Sequence, residues 1–219
     1  MSDPSFQTLL SARAERVGVA ITAEMRGQLE RYVDLLTHWN PRINLTALPL
    51  DPPTAETVDR LLIEPIVAAG WTKAPLNWYD VGSGGGSPAI PFKIVQPQAK
   101  LTMVESRARK AAFLREAVRA IGLSEVSVEC SRIEDLAAAG RRAGSSDLIT
   151  LRGVKPDATM WTALQDLLSQ SGRLFWFHSR SSPPDVPVGF ARIATRDLGT
   201  TTEAVLSICT LMFHVEHRR

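Results

Sequence analysis

The run "NWYDVGSGGGSPAIP", residues 77–91, constrains this chain more than any other stretch. Four of the five residues from 82 to 86 are glycine, directly after an apolar, strand-like segment ending in Asp80 and Val81. Glycine tolerates positive φ and has no side chain to hold a ligand away from the backbone. Pro88 follows, and proline is well placed in the first turn of a helix. A strand, a bare turn and a helix start in that order predict a ligand-binding turn at the carboxyl rim of a parallel sheet. A tight connection with no ligand is the plainer alternative.

The rest of the chain falls into two regimes. Residues 5 to about 70 read as helical: Thr22 serves as an N-cap with Glu24 behind it, and Met25, Leu29, Val33 and Leu36 recur on one face. This helix is expected to end near Asn40-Pro41, and a second one, from Thr54 to Ala69, to bend near Pro65. From residue 77, strands alternate with helices: "NWYDV", "KLTMVE", "EVSVEC", "DLITLR" and "GRLFWF" are the strands. Helices are expected over 107–121, stopped by Gly122, over "IEDLAAA" and over 156–170. "FARIATRDL" and "EAVLSICTLMF" then form an antiparallel hairpin. That order predicts an α/β, Rossmann-like class I S-adenosylmethionine-dependent methyltransferase fold: a seven-stranded, mostly parallel sheet with a C-terminal hairpin. An N-terminal helical extension, 1–70, would precede one compact unit, 71–219.

Composition narrows the classes further. With 219 residues, 44% apolar and 22% charged, the chain suits one sizeable core rather than a disordered or fibrous protein. No apolar run reaches the roughly 20 residues that span a bilayer, and the start lacks a secretory pattern. Cys130 and Cys209 read as two buried free thiols, consistent with a reducing cytoplasm. Net charge is only +2, but residues 100–119 carry six basic residues against two acidic ones. Arg109, Lys110, Arg115 and Arg119 are therefore candidate phosphate contacts, with a solvated helix face as the alternative.

The glycine spacing Gly82, Gly84, Gly86 places Ser87 where the dinucleotide pattern G-x-G-x-x-G needs its last glycine, which weakens a nicotinamide reading. Glu105, at the end of the second strand, can accept hydrogen bonds from ribose hydroxyls. After the third strand, Ile133 and Glu134 stand where a backbone amide and an acid meet an adenine edge. Together these signals favour S-adenosylmethionine.

With those residues in hand, the chain resembles the ribosomal RNA small-subunit methyltransferase G family. The matching segments are "LLTHWNPRINLTAL" (35–48), "DVGSGGGSPAIP" (80–91), "LTMVESRARKAAFLREAVRAIGL" (101–123), "SRIEDL" (131–136) and "DLITLRGV" (147–154). The resemblance implies methyl transfer from S-adenosylmethionine to N7 of a guanosine in small-subunit (16S) ribosomal RNA, either free or in the 30S particle. It implies cofactor contacts at Gly82, Ser87, Glu105, Ser106, Arg107, Ile133, Glu134 and Arg152, with Arg152 positioning rather than exchanging protons. Asn44 joins the candidate RNA contacts. A cytoplasmic monomer without metal or membrane attachment is expected. The sequence departs from the family at Ser87, Ala89, Leu61, Glu64, Gly153 and His178.

Two rival readings stay open: a class I methyltransferase acting on a small molecule or protein, and a ribosome- or RNA-binding module with a vestigial pocket. A nicotinamide oxidoreductase ranks below both. His214 and His217 have a metal-site spacing but read as a terminal segment, His38 as a helix-end contact, and the five tryptophans as packing.

Overall fold

The computed structural model describes residues 4–72, 77–140 and 143–212; His214 and His217 lie outside them. Two helices open the chain, α1 (Pro4–Arg16) and α2 (Ala23–Ile43). Thr22 caps α2 by accepting the Met25 N–H at 3.2 Å, and Leu29, Tyr32, Val33 and Leu36 bury one face. Contrary to expectation, Pro41 lies inside α2 rather than ending it. A proline so near the terminus forfeits only its own N–H. The helix stops instead at Asn44, which turns left-handed at φ 51° while its N–H bonds Asn40 O. The Asn40 side chain then fixes the following loop, accepting from the amides of Leu45 (2.7 Å) and Thr46 (2.9 Å).

The next helical stretch comprises α3 (Ala55–Val58), a π-helical turn (Asp59–Ile63) and α4 (Glu64–Ala69). The irregularity expected at Pro65 therefore appears as a π turn just before it. Strands β1 (Asn77–Val81), β2 (Lys100–Val104), β3 (Val126–Glu129), β4 (Ser146–Arg152) and β5 (Leu168–Ser179) follow. They alternate with α5 (Ala89–Val95), α6 (Ala108–Ile121), α7 (Ile133–Ala138) and α8 (Ala158–Leu167). Helix α8 ends short of residue 170, because Leu168 already pairs with Ser146 in the sheet. Strands β6 (Phe190–Asp197) and β7 (Ala204–Leu211) complete the order β3-β2-β1-β4-β5-β7-β6, with β7 antiparallel to both neighbours. This is the expected seven-stranded Rossmann-like arrangement.

Alternation along each strand builds a core on either face. Trp78, Leu101, Met103, Leu148 and Phe175 pack with α1, α2, α5 and α6, whereas Tyr79, Val81, Ile149 and Leu151 pack with α7 and α8. The N-terminal helices therefore share one continuous core with the sheet. Two single-residue expectations fail: Cys130 is exposed, as β3 ends at Glu129, and Trp71 is 38% exposed just beyond α4. Trp78 is fully buried, and Trp161 meets Trp176 edge-on at 5.2 Å. Among the described residues no helix is long and apolar enough to cross a membrane.

Candidate active site

Strand order reverses between β1 and β4, so the connections that follow the two strands lead to opposite sides and a crevice lies outside their carboxyl ends. The glycine turn lies at that rim. The amides of Gly82 and Ser83 both bond Val104 O, at 2.9 and 3.1 Å, which ties the turn to β2. Gly82, Gly84 and Gly86 have φ values of 72°, 51° and 90°. Their roles differ. A Cβ on Gly82 would sit 2.5 Å from Val154 Cγ2, one on Gly86 2.6 Å from Ile90 Cδ1, and one on Gly85 3.1 Å from Leu45 O. Those three are glycine because protein packs against them. At Gly84 the nearest atom would be Gly82 O at 3.7 Å, an ordinary contact, so only the positive φ asks for glycine there.

Glu105 is buried, and its partners are main-chain amides: Oε2 accepts from Gly84 N (2.9 Å) and Oε1 from Arg107 N (2.8 Å). Each oxygen keeps a further lone pair for a ligand hydroxyl. Ser106 and Arg107 are exposed beside it, Ile133 is buried at the start of α7, and Glu134 is half-buried. Among the described residues five buried polar side-chain atoms lack a hydrogen-bond partner. Three of them, Asp80 Oδ2, Ser131 Oγ and Glu134 Oε2, belong to the carboxyl ends of β1 and β3 or the α7 start. Buried polar atoms are ordinarily satisfied, so these three are free to bond a ligand at the rim. Burial raises the Asp80 carboxyl to about 6, against bonds from Thr150 (2.5 Å) and Ser83 that lower it; Glu105 nearby raises it further.

On the other side of the turn opens a cavity of about 1160 Å³, walled by the α2–α3 loop, the π turn, Gly85, Ser87, the ends of β4 and β5, and the β6–β7 loop. The π turn explains its wall. Glu64 N–H reaches back to Asp59 O, leaving Arg60 O without its helical donor, and Pro65 has no N–H for Leu61 O. Side chains from the sheet rim take both carbonyls: Arg152 Nη1 donates to Arg60 O at 2.5 Å, and Ser87 Oγ to Leu61 O at 2.9 Å. Arg152 Nη2 pairs with the fully buried Glu64, whose other oxygen accepts from Thr202 (2.6 Å) and Thr200 (3.4 Å). The Arg152 guanidinium also lies 4.9 Å from the centre of the Phe177 ring. Burial, with Arg60's charge adding, pulls Arg152 down to about 9, so it remains cationic at neutral pH.

The departures noted in the sequence gain physical reasons. Ser87 replaces an apolar residue and caps a carbonyl. Gly153 has φ 65°, which alanine would adopt only under strain. His178 Nδ1 lies 2.8 Å from Ser179 O, an acceptor only, so Nδ1 carries the proton and Nε2 accepts from Ser207 Oγ at 2.8 Å. Burial lowers its pKa, leaving a neutral ring.

Of the predicted residues, Ser87 and Arg152 line the cavity, while Gly82, Gly84, Glu105, Ser106, Arg107, Ile133 and Glu134 do not. Asn44 is exposed beside Leu45, which lines it. Arg109, Arg115 and Arg119 are exposed on α6 and Lys110 half-buried, all outside the cavity; Arg115 donates to Val128 O. Sequence reasoning missed that Asp80 keeps one carboxylate oxygen free while Thr150 bonds the other, and it missed Tyr32, whose hydroxyl braces Gly85 O at 2.7 Å. It treated Glu64 only as a departure. A lone acid in "LLIEPIVAA" was the available signal for a buried carboxylate in need of a cation.

Comparison with known proteins agrees with this geometry. The family model described as rRNA small subunit methyltransferase G matches residues 25–189. Among similar proteins so named, that of Chloroflexus aggregans is 34% identical over 158 residues, covering 72% of this chain and 65% of its own. That of Roseiflexus castenholzii is 33% identical over 183 residues, covering 83% and 76%. A third, from Pseudomonas paraeruginosa, is 39% identical over 125 residues and 57% of each chain, so the chain spans less than two thirds of several relatives. Among solved structures, MtNAS in complex with MTA and tNA aligns with TM-score 0.61 at 13% identity, over 96% of this chain and 78% of that one. A SAM dependent methyltransferase from Aquifex aeolicus gives 0.55 at 14%, over 71% and 92%. These likenesses concern the fold. From the matched span and the relatives together, the chain belongs to the rRNA small subunit methyltransferase G family.

Proposed function

We propose that the protein transfers a methyl group from S-adenosylmethionine to N7 of a guanosine in 16S ribosomal RNA. The observation that carries this reading is the two-sidedness of the glycine turn. One side holds Glu105 and the free atoms Asp80 Oδ2, Ser131 Oγ and Glu134 Oε2, acceptors that suit ribose hydroxyls, an adenine amine and a cationic ligand. The other, through Gly85 and Ser87, opens into a cavity with room for a base. Gly84, Glu105, Ile133 and Glu134 would hold the nucleoside, and the cofactor when bound supplies an electrophilic methyl.

Guanine N7 bears an in-plane lone pair and no proton at neutral pH. It forms the bond to the methyl carbon while the carbon–sulfur pair returns to sulfur, leaving a neutral thioether and a cationic methylguanine. No proton moves, so the reaction asks for alignment rather than a general base. Exposed Arg60 and Lys155 at the cavity mouth suit RNA phosphates. The N7 edge of duplex RNA faces a groove too narrow for side chains, so the substrate guanosine is unpaired or everted. The protein would act as a monomer in the cytoplasm on RNA or the 30S particle, the N-terminal helices forming an extension of the catalytic unit.

Deleting the gene and analysing ribosomal nucleosides tests this. N7-methylguanosine should fall in 16S RNA and return with the wild-type gene but not with Gly84→Asp. Unchanged modification would refute it.

A further inference from the structure

We infer that Glu64 is a positioning residue for the transfer proposed above: it holds Arg152 at the junction of glycine turn and cavity and cancels its charge there. The inference rests on that reading. Arg152 reaches the end of the turn, its Nη1 lying 3.4 Å from Ser87 Oγ, and its side chain is only 15% exposed. A sulfonium bound at the turn carries one positive charge, and transfer moves that charge onto the base. A guanidinium without a counterion beside this path would repel both states through a medium that screens poorly.

The fully buried Glu64 removes that repulsion. Of the other charged residues of the cavity, Glu56, Lys155 and Glu203 are exposed at its mouth, where water screens them, and Arg60, whose charge reaches Arg152, is exposed and paired with Glu56 at 3.6 Å. Tyr32, also in the wall, is neutral: burial pushes its hydroxyl far above the usual range.

The fold also keeps Glu64 from following Arg152 if a ligand pulls on it. A π turn closes i to i+5, which stacks Asp59 against Glu64 on one face. Asp59 binds Arg13 and both the amide and hydroxyl of Thr201, while Glu64 binds Thr200 and Thr202. Two adjacent carboxylates thus grip three consecutive threonines of the β6–β7 loop. Glu64 is anchored on that side, and Arg152 is held by it, by Arg60 O and by Phe177.

S-adenosylmethionine and S-adenosylhomocysteine differ by the methyl group and its charge, so the ratio of their dissociation constants isolates the electrostatic effect. Calorimetry on wild type, Glu64→Gln, Glu64→Asp and Arg152→Gln gives that ratio. Glu64→Gln keeps one acceptor for Arg152 and turns an amide donor toward the threonine hydroxyls, which can accept it, and it should weaken the sulfonium about tenfold relative to the thioether. Glu64→Asp should stay within about twofold of wild type, and Arg152→Gln should shift the ratio toward the sulfonium. If Glu64→Gln does not fold, the sign of the Arg152→Gln shift decides. Wild-type protein that binds neither ligand overturns the methyltransferase reading. Binding of both, with a ratio unmoved in Glu64→Gln and Arg152→Gln, overturns this inference alone.

Discussion

Ser87 donates its hydroxyl to Leu61 O at 2.9 Å, taking the carbonyl that Pro65 cannot serve. One hydroxyl thus joins the glycine turn to the N-terminal helices and satisfies an acceptor the π turn would leave bare. Ser87→Ala should lower unfolding free energy by about 1–2 kcal/mol, the cost of a buried carbonyl without its donor. Urea titration measures it; an unchanged midpoint would mean that water replaces the hydroxyl.

Gly84 and Gly122 make a matched pair. Both have positive φ, 51° and 79°, and a Cβ on either would meet no atom closer than 3.7 Å. Alanine at either should cost about 1–2 kcal/mol of stability through backbone strain alone. Gly122 caps α6, whereas Gly84 gives its amide to Glu105 at the rim. Gly84→Ala should therefore weaken S-adenosylmethionine binding at least about tenfold while Gly122→Ala leaves it unchanged. Equal effects on affinity would remove Gly84 from the binding surface.

Asp80 gives a pH signature. Its carboxyl is raised from 3.8 to about 6, chiefly by burial. Between those values the folded protein keeps a proton that the unfolded chain releases, so stability falls as pH rises through the window. The loss from this residue is about 3 kcal/mol. Asp80→Asn should abolish that component, seen as a wild-type minus variant difference changing by about 2 kcal/mol from pH 4 to 6.5. A bound cation favours the ionised acid, so cofactor affinity in the wild type should rise over the same range. A parallel pH profile in the variant would show that Asp80 titrates normally.

Helix α6 starts at the rim and runs away from it. Arg109 and Lys110 occupy its first turn, and Arg119 its last, about 15 Å further along. Replacing Arg109 and Lys110 by Gln should lower the salt slope of RNA affinity by about 2, and Arg119→Gln should leave it unchanged. Filter binding across a salt series reads both. Equal slopes in all proteins would make this helix a solvated face.

The alternation of strands with helices, the hairpin and the position of the glycine turn were legible because alternation, glycine and proline act locally. Thr22 and Gly122 marked helix ends for the same reason. Pro41 misled because the Asn40 side chain, which ties the amides of Leu45 and Thr46 back to the helix end, and not the proline, decides where α2 stops. The division of labour among Gly82, Gly84 and Gly86 was invisible, since it depends on Val154 and Ile90 arriving from elsewhere. So was the Glu64–Arg152 pair, whose members are far apart in sequence and meet through a π turn.

The central claim is met most directly by incubating the protein with methyl-labelled S-adenosylmethionine and small ribosomal subunits from a deletion strain, then separating the RNA nucleosides. Label in N7-methylguanosine of 16S RNA, absent with Gly84→Asp, is the predicted result. Label confined to another nucleoside or to protein, or no transfer by a protein that binds the cofactor, would contradict it.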